Sequence, residues 1–146
     1  MMNLIPARGM APSPYSLMQD IRSNSIPPSG GVGLRWNPEQ QWLDISNKGN
    51  PVGRTYINAE EGGSLRLGPK LDEGVRRQGI GTTVYDMLGD LGTRHGMQLE
   101  PSFNLSKNAF EFWKNRDPSA LRQAYSRNSG ATGRLTAAQR EWLNGK

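Results

Sequence analysis

Leu71-Asp72-Glu73-Gly74-Val75-Arg76-Arg77-Gln78-Gly79-Ile80-Gly81-Thr82 is the most informative stretch of this chain. Residues before it repeat with the two-residue period of a strand, and residues after it with the period of an amphipathic helix. The stretch therefore joins a strand to a helix. Its two glycines near the helix start let backbone pass close to a ligand, and the first N–H groups of a helix point outward at its positive end. Arg76 and Arg77 add charge-assisted donors. Such a segment suits an anion, although it can equally be a plain strand-to-helix turn whose arginines are solvated. It is not a P-loop, because no Gly-Lys-Ser/Thr follows, and it lacks the three-glycine dinucleotide fingerprint.

Upstream, the pattern reads as an antiparallel meander. Val32 to Trp36 and Gln41 to Ser46 are strands joined by the turn Asn37-Pro38-Glu39-Gln40. Asn47-Lys48-Gly49-Asn50-Pro51 turns into a third strand, Val52 to Ala59, with Val52, Arg54, Tyr56 and Asn58 expected on one side of the pleat. Glu60-Glu61-Gly62-Gly63 turns into a fourth, Ser64 to Leu71, with Leu65, Leu67 and Leu71 on one face. This meander argues against a parallel dinucleotide-binding sheet.

Downstream, Ile80, Val84, Met87, Leu88 and Leu91 mark a helix over Gly79 to Arg94. Gly89 and Gly92 weaken it by about 1 kcal/mol each relative to Ala, which close packing on a sheet can offset. Gly96 suits a left-handed cap, and His95 is expected exposed at the helix end. Met97 to Pro101 is a short fifth strand reached by a βαβ crossover. Ser106 caps the next helix, with a stripe of Leu105, Ala109, Phe112 and Trp113. Asp117-Pro118 ends that helix and starts another carrying Leu121, Ala124 and Tyr125. Ser129-Gly130 and Gly133 form a linker. Thr136 and Gln139 form a capping box for a final helix with Ala138, Trp142 and Leu143 turned inward.

The expected organisation is a Pro-rich N-terminal arm over 1–30 with a short helix near Ser16–Ile21, a core over 31–116, and a basic helical extension over 117–146. The chain has 146 residues and a net charge of +5. Residues 102–146 hold 8 basic and 3 acidic side chains, so the excess sits in the last third. That excess suits phosphates, acidic protein surfaces or nucleic acid, or is simply a solvated face. With no Cys, a disulfide scaffold, a thiol nucleophile and any thiolate metal site are excluded, and a single His, His95, argues against a His-ligated zinc site. No apolar run approaches about 18 residues, and the N-terminus lacks the pattern of a secretory signal, so the expectation is a cytoplasmic protein. The four tryptophans, Trp36, Trp42, Trp113 and Trp142, read as core or interface residues before a base-stacking platform.

Arg76-Arg77-Gln78-Gly79-Ile80-Gly81 resembles the acetyl-CoA signature of the GNAT acyltransferases: Arg or Gln, two residues, Gly, one residue, Gly or Ala. Leu71 stands where the family ends its fourth strand on an apolar residue. The helix, His95-Gly96 turn and fifth strand follow in the family's order, and Ala109, Phe112 and Trp113 resemble its next helix. The resemblance covers about residues 31–116. It implies an α/β (α+β) GNAT-like fold, an antiparallel meander followed by a βαβ unit with helices on the sheet, whose fourth and fifth strands splay around the pantetheine arm. It further implies acetyl-CoA as cosubstrate, with Leu71, Arg76, Arg77, Gln78, Gly79, Ile80, Gly81, Thr82 and Ser106 as binding residues, and acetyl transfer to an amine.

Departures from the family are equally specific. Trp113 stands at the Tyr that protonates the leaving thiolate, and an indole N–H cannot be a general acid near neutral pH. Ser106 replaces a frequent Asn. After Asp117 the chain reads helical where the family has two further strands that help build the acceptor site. Glu100, at the end of the fifth strand, is the best candidate base, with Asp72 and Glu73 also near the signature, each balanced against a role as surface partner of Arg76 and Arg77. Tyr125 is a substitute acid if its helix folds over the cleft. Two further readings follow. Reduced GNAT-like domains are similar to some internal virion proteins of tailed bacteriophages, which suggests a non-catalytic assembly component; a third reading is a nucleic-acid-binding module acting through the basic last third.

Overall fold

A computed structural model describes residues 11–76, 78–102, 105–127 and 132–145. Arg77 and the linker residues Ser129-Gly130 lie outside the described residues. The chain divides into two compact units, residues 1–99 and 100–146.

Among the described residues, the first unit is built on five strands in the order β1-β2-β3-β4-β5. Strands β1 (Val32–Asn37), β2 (Trp42–Asn47), β3 (Asn50–Ala59) and β4 (Ser64–Leu71) are antiparallel neighbours, the expected meander. The β2–β3 hairpin turns on Lys48 (φ 53°) and Gly49 (φ 84°), both left-handed, the two-residue geometry that matches strand twist. Helix α2 (Ile80–Arg94) carries the chain over the sheet to β5 (Gln98–Leu99), which pairs parallel with β4. This fifth strand is shorter than the expected Met97 to Pro101 span. The pairing covers only Ser64↔Gln98 and Leu65↔Leu99, so β4 continues from Arg66 to Leu71 past the end of β5.

One expectation about the meander fails. Val52, Arg54, Tyr56 and Asn58 do not share a face, because the β2–β3 register slips between Ile45 and Ser46. Ile45 pairs with Gly53 and Ser46 with Pro51, which leaves Val52 as the extra residue of a bulge. Val52 is buried, and so is Thr55 three residues on, while Tyr56 is exposed. Gly53 sits at φ 156°, where a Cβ would lie 2.3 Å from the Lys70 carbonyl oxygen, so the bulge requires glycine.

The inner face of the sheet carries Leu34, Trp36, Leu43, Ile45, Leu65 and Leu67, all buried. Helix α2 lays Ile80, Val84, Leu88 and Leu91 in the same core. Its two interior glycines are where it approaches most closely. A Cβ on Gly89 would meet Leu99 Cδ1 at 2.9 Å, and one on Gly92 would meet Leu65 Cδ2 at 2.8 Å. Close packing therefore offsets their poor helix propensity.

The arm contributes α1 (Pro14–Arg22), whose Leu17 and Ile21 are fully buried. Ser13 caps it, accepting from Ser16 N–H, and Pro14 fits its first turn. His95 is not an exposed helix end. Its Nε2 lies 2.7 Å from Asp20 Oδ2, its side chain is 17% exposed, and its carbonyl accepts from Ser13 N–H. Gly96, at φ 72°, forms the left-handed cap; a Cβ there would lie 2.9 Å from the Ala11 carbonyl oxygen.

The second unit is helical: α3 (Lys107–Arg116), α4 (Pro118–Arg127) and α5 (Ala137–Leu143). Ser106 caps α3, Asp117 Oδ1 accepts from Ala120 N–H at the start of α4, and Thr136 with Gln139 forms the expected capping box of α5. Phe110, buried, packs edge-on against Tyr125 and Trp142, both with centroids 5.8 Å away. Ala138 is exposed rather than inward-facing. The inward residue is Gln139, whose amide donates to the Lys107 carbonyl and to Glu111, tying α5 to α3. Phe110 likewise replaces Phe112, which is half-buried, in the α3 core stripe.

Candidate functional site

The site that the sequence singles out lies where β4 ends and α2 begins. Asp72 N–H still donates to the Val52 carbonyl at 2.8 Å, so the loop leaves the sheet only after that bond. A 3₁₀ turn over Glu73–Val75 follows. Arg76 Nε then donates 3.2 Å back to the Leu71 carbonyl, closing the loop on the last residue of β4. Arg76 is exposed, and only Nε is used in this bond, so the outer edge of the guanidinium stays accessible to solvent.

Gly79 is the turning point. It adopts φ 80° and serves as N-cap of α2 without any side chain to satisfy the helix amides. The first intrahelical amide bond is Thr83 N–H to the Gly79 carbonyl at 3.1 Å, reinforced by Thr83 Oγ1 on the same oxygen. The amides of Ile80, Gly81 and Thr82 come before it, and no acidic residue stands in the first turn. Helices α1, α3, α4 and α5 each have a side chain accepting from their first-turn amides. A Cβ built on Gly79 has nothing within 4 Å, and one on Gly81 has only Leu71 Cδ1, at 4.0 Å. An open row of amides at the positive end of a fifteen-residue helix, with a guanidinium two residues from Gln78, fits a pyrophosphate.

The structure brings Leu71, Arg76, Gln78, Gly79, Ile80, Gly81 and Thr82 together in this loop. Ile80 is buried and points its side chain into the core, leaving its amide as its possible contribution. Asp72 and Glu73 are exposed on the same loop.

The other candidates belong to the second unit. Glu100 has Oε1 4.0 Å from Arg127 Nη1. Ser106 Oγ accepts from Ala109 N–H as the α3 cap. The Tyr125 hydroxyl accepts from Leu105 N–H at 3.3 Å and is nearly buried. Burial raises its pKa, against smaller lowering effects from the Leu105 amide and from Arg134. Trp113 is 2% exposed and forms part of the buried set of α3.

Sequence reasoning missed the Asp20–His95 pair. A lone His after a helix signals a C-terminal cap, and nothing local links it to an Asp 75 residues away. It also missed that Arg76 has a structural partner in the loop it was expected to serve.

Among the described residues, no helix is long and apolar enough to cross a membrane, and no cluster of His, Asp or Glu could hold a metal ion. No family model matches the chain, and no curated protein does. The chain is similar to the crystal structure of Ard1 from Thermoplasma volcanium, with 17% identity over 72% of this chain and 77% of that one, at a TM-score of 0.45.

Proposed function

We propose that the chain is a GNAT-like protein that binds acetyl-CoA at the β4–α2 loop and transfers acetyl to an amine. One observation carries this reading: an uncapped helix N-terminus, entered through a left-handed Gly79, follows across one short loop a strand whose parallel partner stops after two residue pairs. In this reading the amides of Gln78 to Thr82 and the Arg76 guanidinium hold the pyrophosphate. Beyond the two-residue pairing, the β4 edge from Arg66 to Leu71 receives the pantetheine arm. Coenzyme A supplies the acyl thioester; the chain supplies an anion cradle and an extended edge. Arg77 and Ser106 keep the binding roles that the family resemblance implies for them, and Glu100 and Tyr125 stand as the candidate base and substitute acid.

A second reading is favoured by the buried Trp113 and by the helical chain after β5. There the fold is kept without turnover, as a structural component of an assembly such as a virion. Loss of a general acid costs roughly 10²- to 10⁴-fold in rate, but a coenzyme A thiolate can leave with water as proton source. Binding is therefore expected to be easier to detect than transfer.

Calorimetric titration with acetyl-CoA tests the first reading, and Trp113→Tyr separates the two. Binding, together with acetyl transfer that rises in Trp113→Tyr, supports the enzyme. Binding without transfer in either protein replaces it with the non-catalytic reading. No binding at millimolar coenzyme A removes the enzyme reading.

A further inference from the structure

The open face of the sheet presents a surface that the β4–α2 loop does not use. Residues paired across antiparallel strands point to the same side, so the register fixes its rows. One row is Arg35, Asp44, Arg54 and Lys70, running across β1 to β4. The next contains Trp42, Tyr56 and Gly68, with Trp42 edge-on to Tyr56 at 5.4 Å. Three cations therefore face one carboxylate, and that carboxylate is occupied. Asp44 Oδ1 accepts from Trp42 Nε1 at 2.8 Å and Oδ2 from Asn37 Nδ2 at 3.3 Å. Arg54 lies 4.6 Å over the Trp42 ring, so the indole is held by its edge and by one face.

Tyr56 is 51% exposed, one of two large hydrophobic side chains left open among the described residues. Its cross-strand partner Gly68 has no side chain, and a Cβ there would meet nothing nearer than Tyr56 itself at 4.0 Å. A flat floor thus opens beside a ring braced by a fixed indole. The cationic and aromatic rows are two residues apart along the strands, about 7 Å, comparable to the reach from a phosphate to its own base.

We infer that this face binds single-stranded nucleic acid, with phosphates on Arg35, Arg54 and Lys70 and a base stacked on Tyr56. An acidic peptide matches the cations but has no use for the braced ring. A duplex keeps its base faces inside the stack. The side chains that form it stand on β1 to β4 rather than in the β4–α2 loop, so the inference does not depend on acetyl-CoA binding.

The test is fluorescence anisotropy of the full chain with labelled rU and dT strands of about 12 nucleotides, a length within the range of known single-strand sites. Binding to at least one strand is expected, weakened about 5- to 150-fold by Tyr56→Ala and restored by Tyr56→Phe. Arg35→Glu with Lys70→Glu is expected to weaken binding and reduce the salt slope by about 1.4, two phosphates' worth for a single strand. These exposed positions keep the test decisive should Tyr56→Ala fail to fold, which circular dichroism reads directly. The inference is overturned if the wild type binds neither strand. It is also overturned if folded Tyr56→Ala binds as the wild type does, if a duplex binds equally, or if polyglutamate displaces the strand as well as unlabelled strand does.

Discussion

Substituting Gly81 separates anion binding from folding. In the ligand-free protein a Cβ at this position has only Leu71 Cδ1 for company, at 4.0 Å, an ordinary contact. Gly81 is the second residue of α2, where Ala is favoured over Gly by up to about 1 kcal/mol and Val by a few tenths. Gly81→Ala is therefore expected to melt up to a few degrees higher than wild type, and Gly81→Val at about the same temperature. Side chains on a helix lean toward its N-terminus, so the added methyl groups fall over the open amides. Wild type at a ligand concentration of 100 times Kd gains about 2.7 kcal/mol, a shift on the order of 10 °C. In Gly81→Val that shift is expected to vanish, and in Gly81→Ala to shrink. Thermal melts with and without acetyl-CoA measure both quantities in one experiment. A Gly81→Val protein that folds and keeps the full ligand shift refutes the amide cradle.

Gly92→Val puts a branched side chain where a Cβ alone already lies 2.8 Å from buried Leu65, and should destabilise by roughly 1–3 kcal/mol in urea unfolding despite better helix propensity. Asp20→Ala should cost under about 1 kcal/mol, because Asp20 is half exposed, yet it should speed proteolysis within residues 11–22 by loosening α1 from His95. Tyr125→Phe strands the buried Leu105 amide and should cost about 1–3 kcal/mol. Burial raises the Tyr125 pKa, so the folded state holds this proton more tightly than the unfolded chain. The resulting stability is complete below about pH 10 and is lost as pH climbs through the folded-state value; in Tyr125→Phe that alkaline slope is reduced.

Local patterns recover the elements whose cause is local. The period of Ile80, Val84, Leu88 and Leu91 marks α2, and Ser106, Asp117 and Thr136 mark three helix starts by their capping chemistry. The β3 bulge escapes such reading because Val52-Gly53-Arg54 keeps an unbroken alternation; the slip is forced by where β2 and β4 meet Gly53, not by any turn residue. The end of β5 at Leu99 is not set by its partner, since β4 runs on to Leu71; Pro101, two residues later, has no N–H to give to further pairing. At the candidate site, the glycine spacing and the missing cap are written in the sequence, but the Arg76 bond to Leu71 is a product of loop geometry. Tyr56 reads as one residue of an alternating strand, and only the register sets it beside Trp42 and Gly68.

The attachment of α1 has a kinetic consequence. The Asp20–His95 contact joins residues 75 apart in sequence, and Ser13 reaches the same turn through its backbone. Closing a loop of that length costs about 2 kcal/mol more in chain entropy than closing a ten-residue one. Until α2 and its terminal turn exist, nothing offsets that cost, so α1 is expected to dock after the sheet and α2 have formed. Its contacts then lie on the native side of the folding barrier. Changes at Leu17, Asp20 or Ile21 should quicken unfolding while leaving the folding rate nearly untouched. The N-terminal segment thus acts as a latch on the lifetime of the folded first unit rather than as part of what nucleates it.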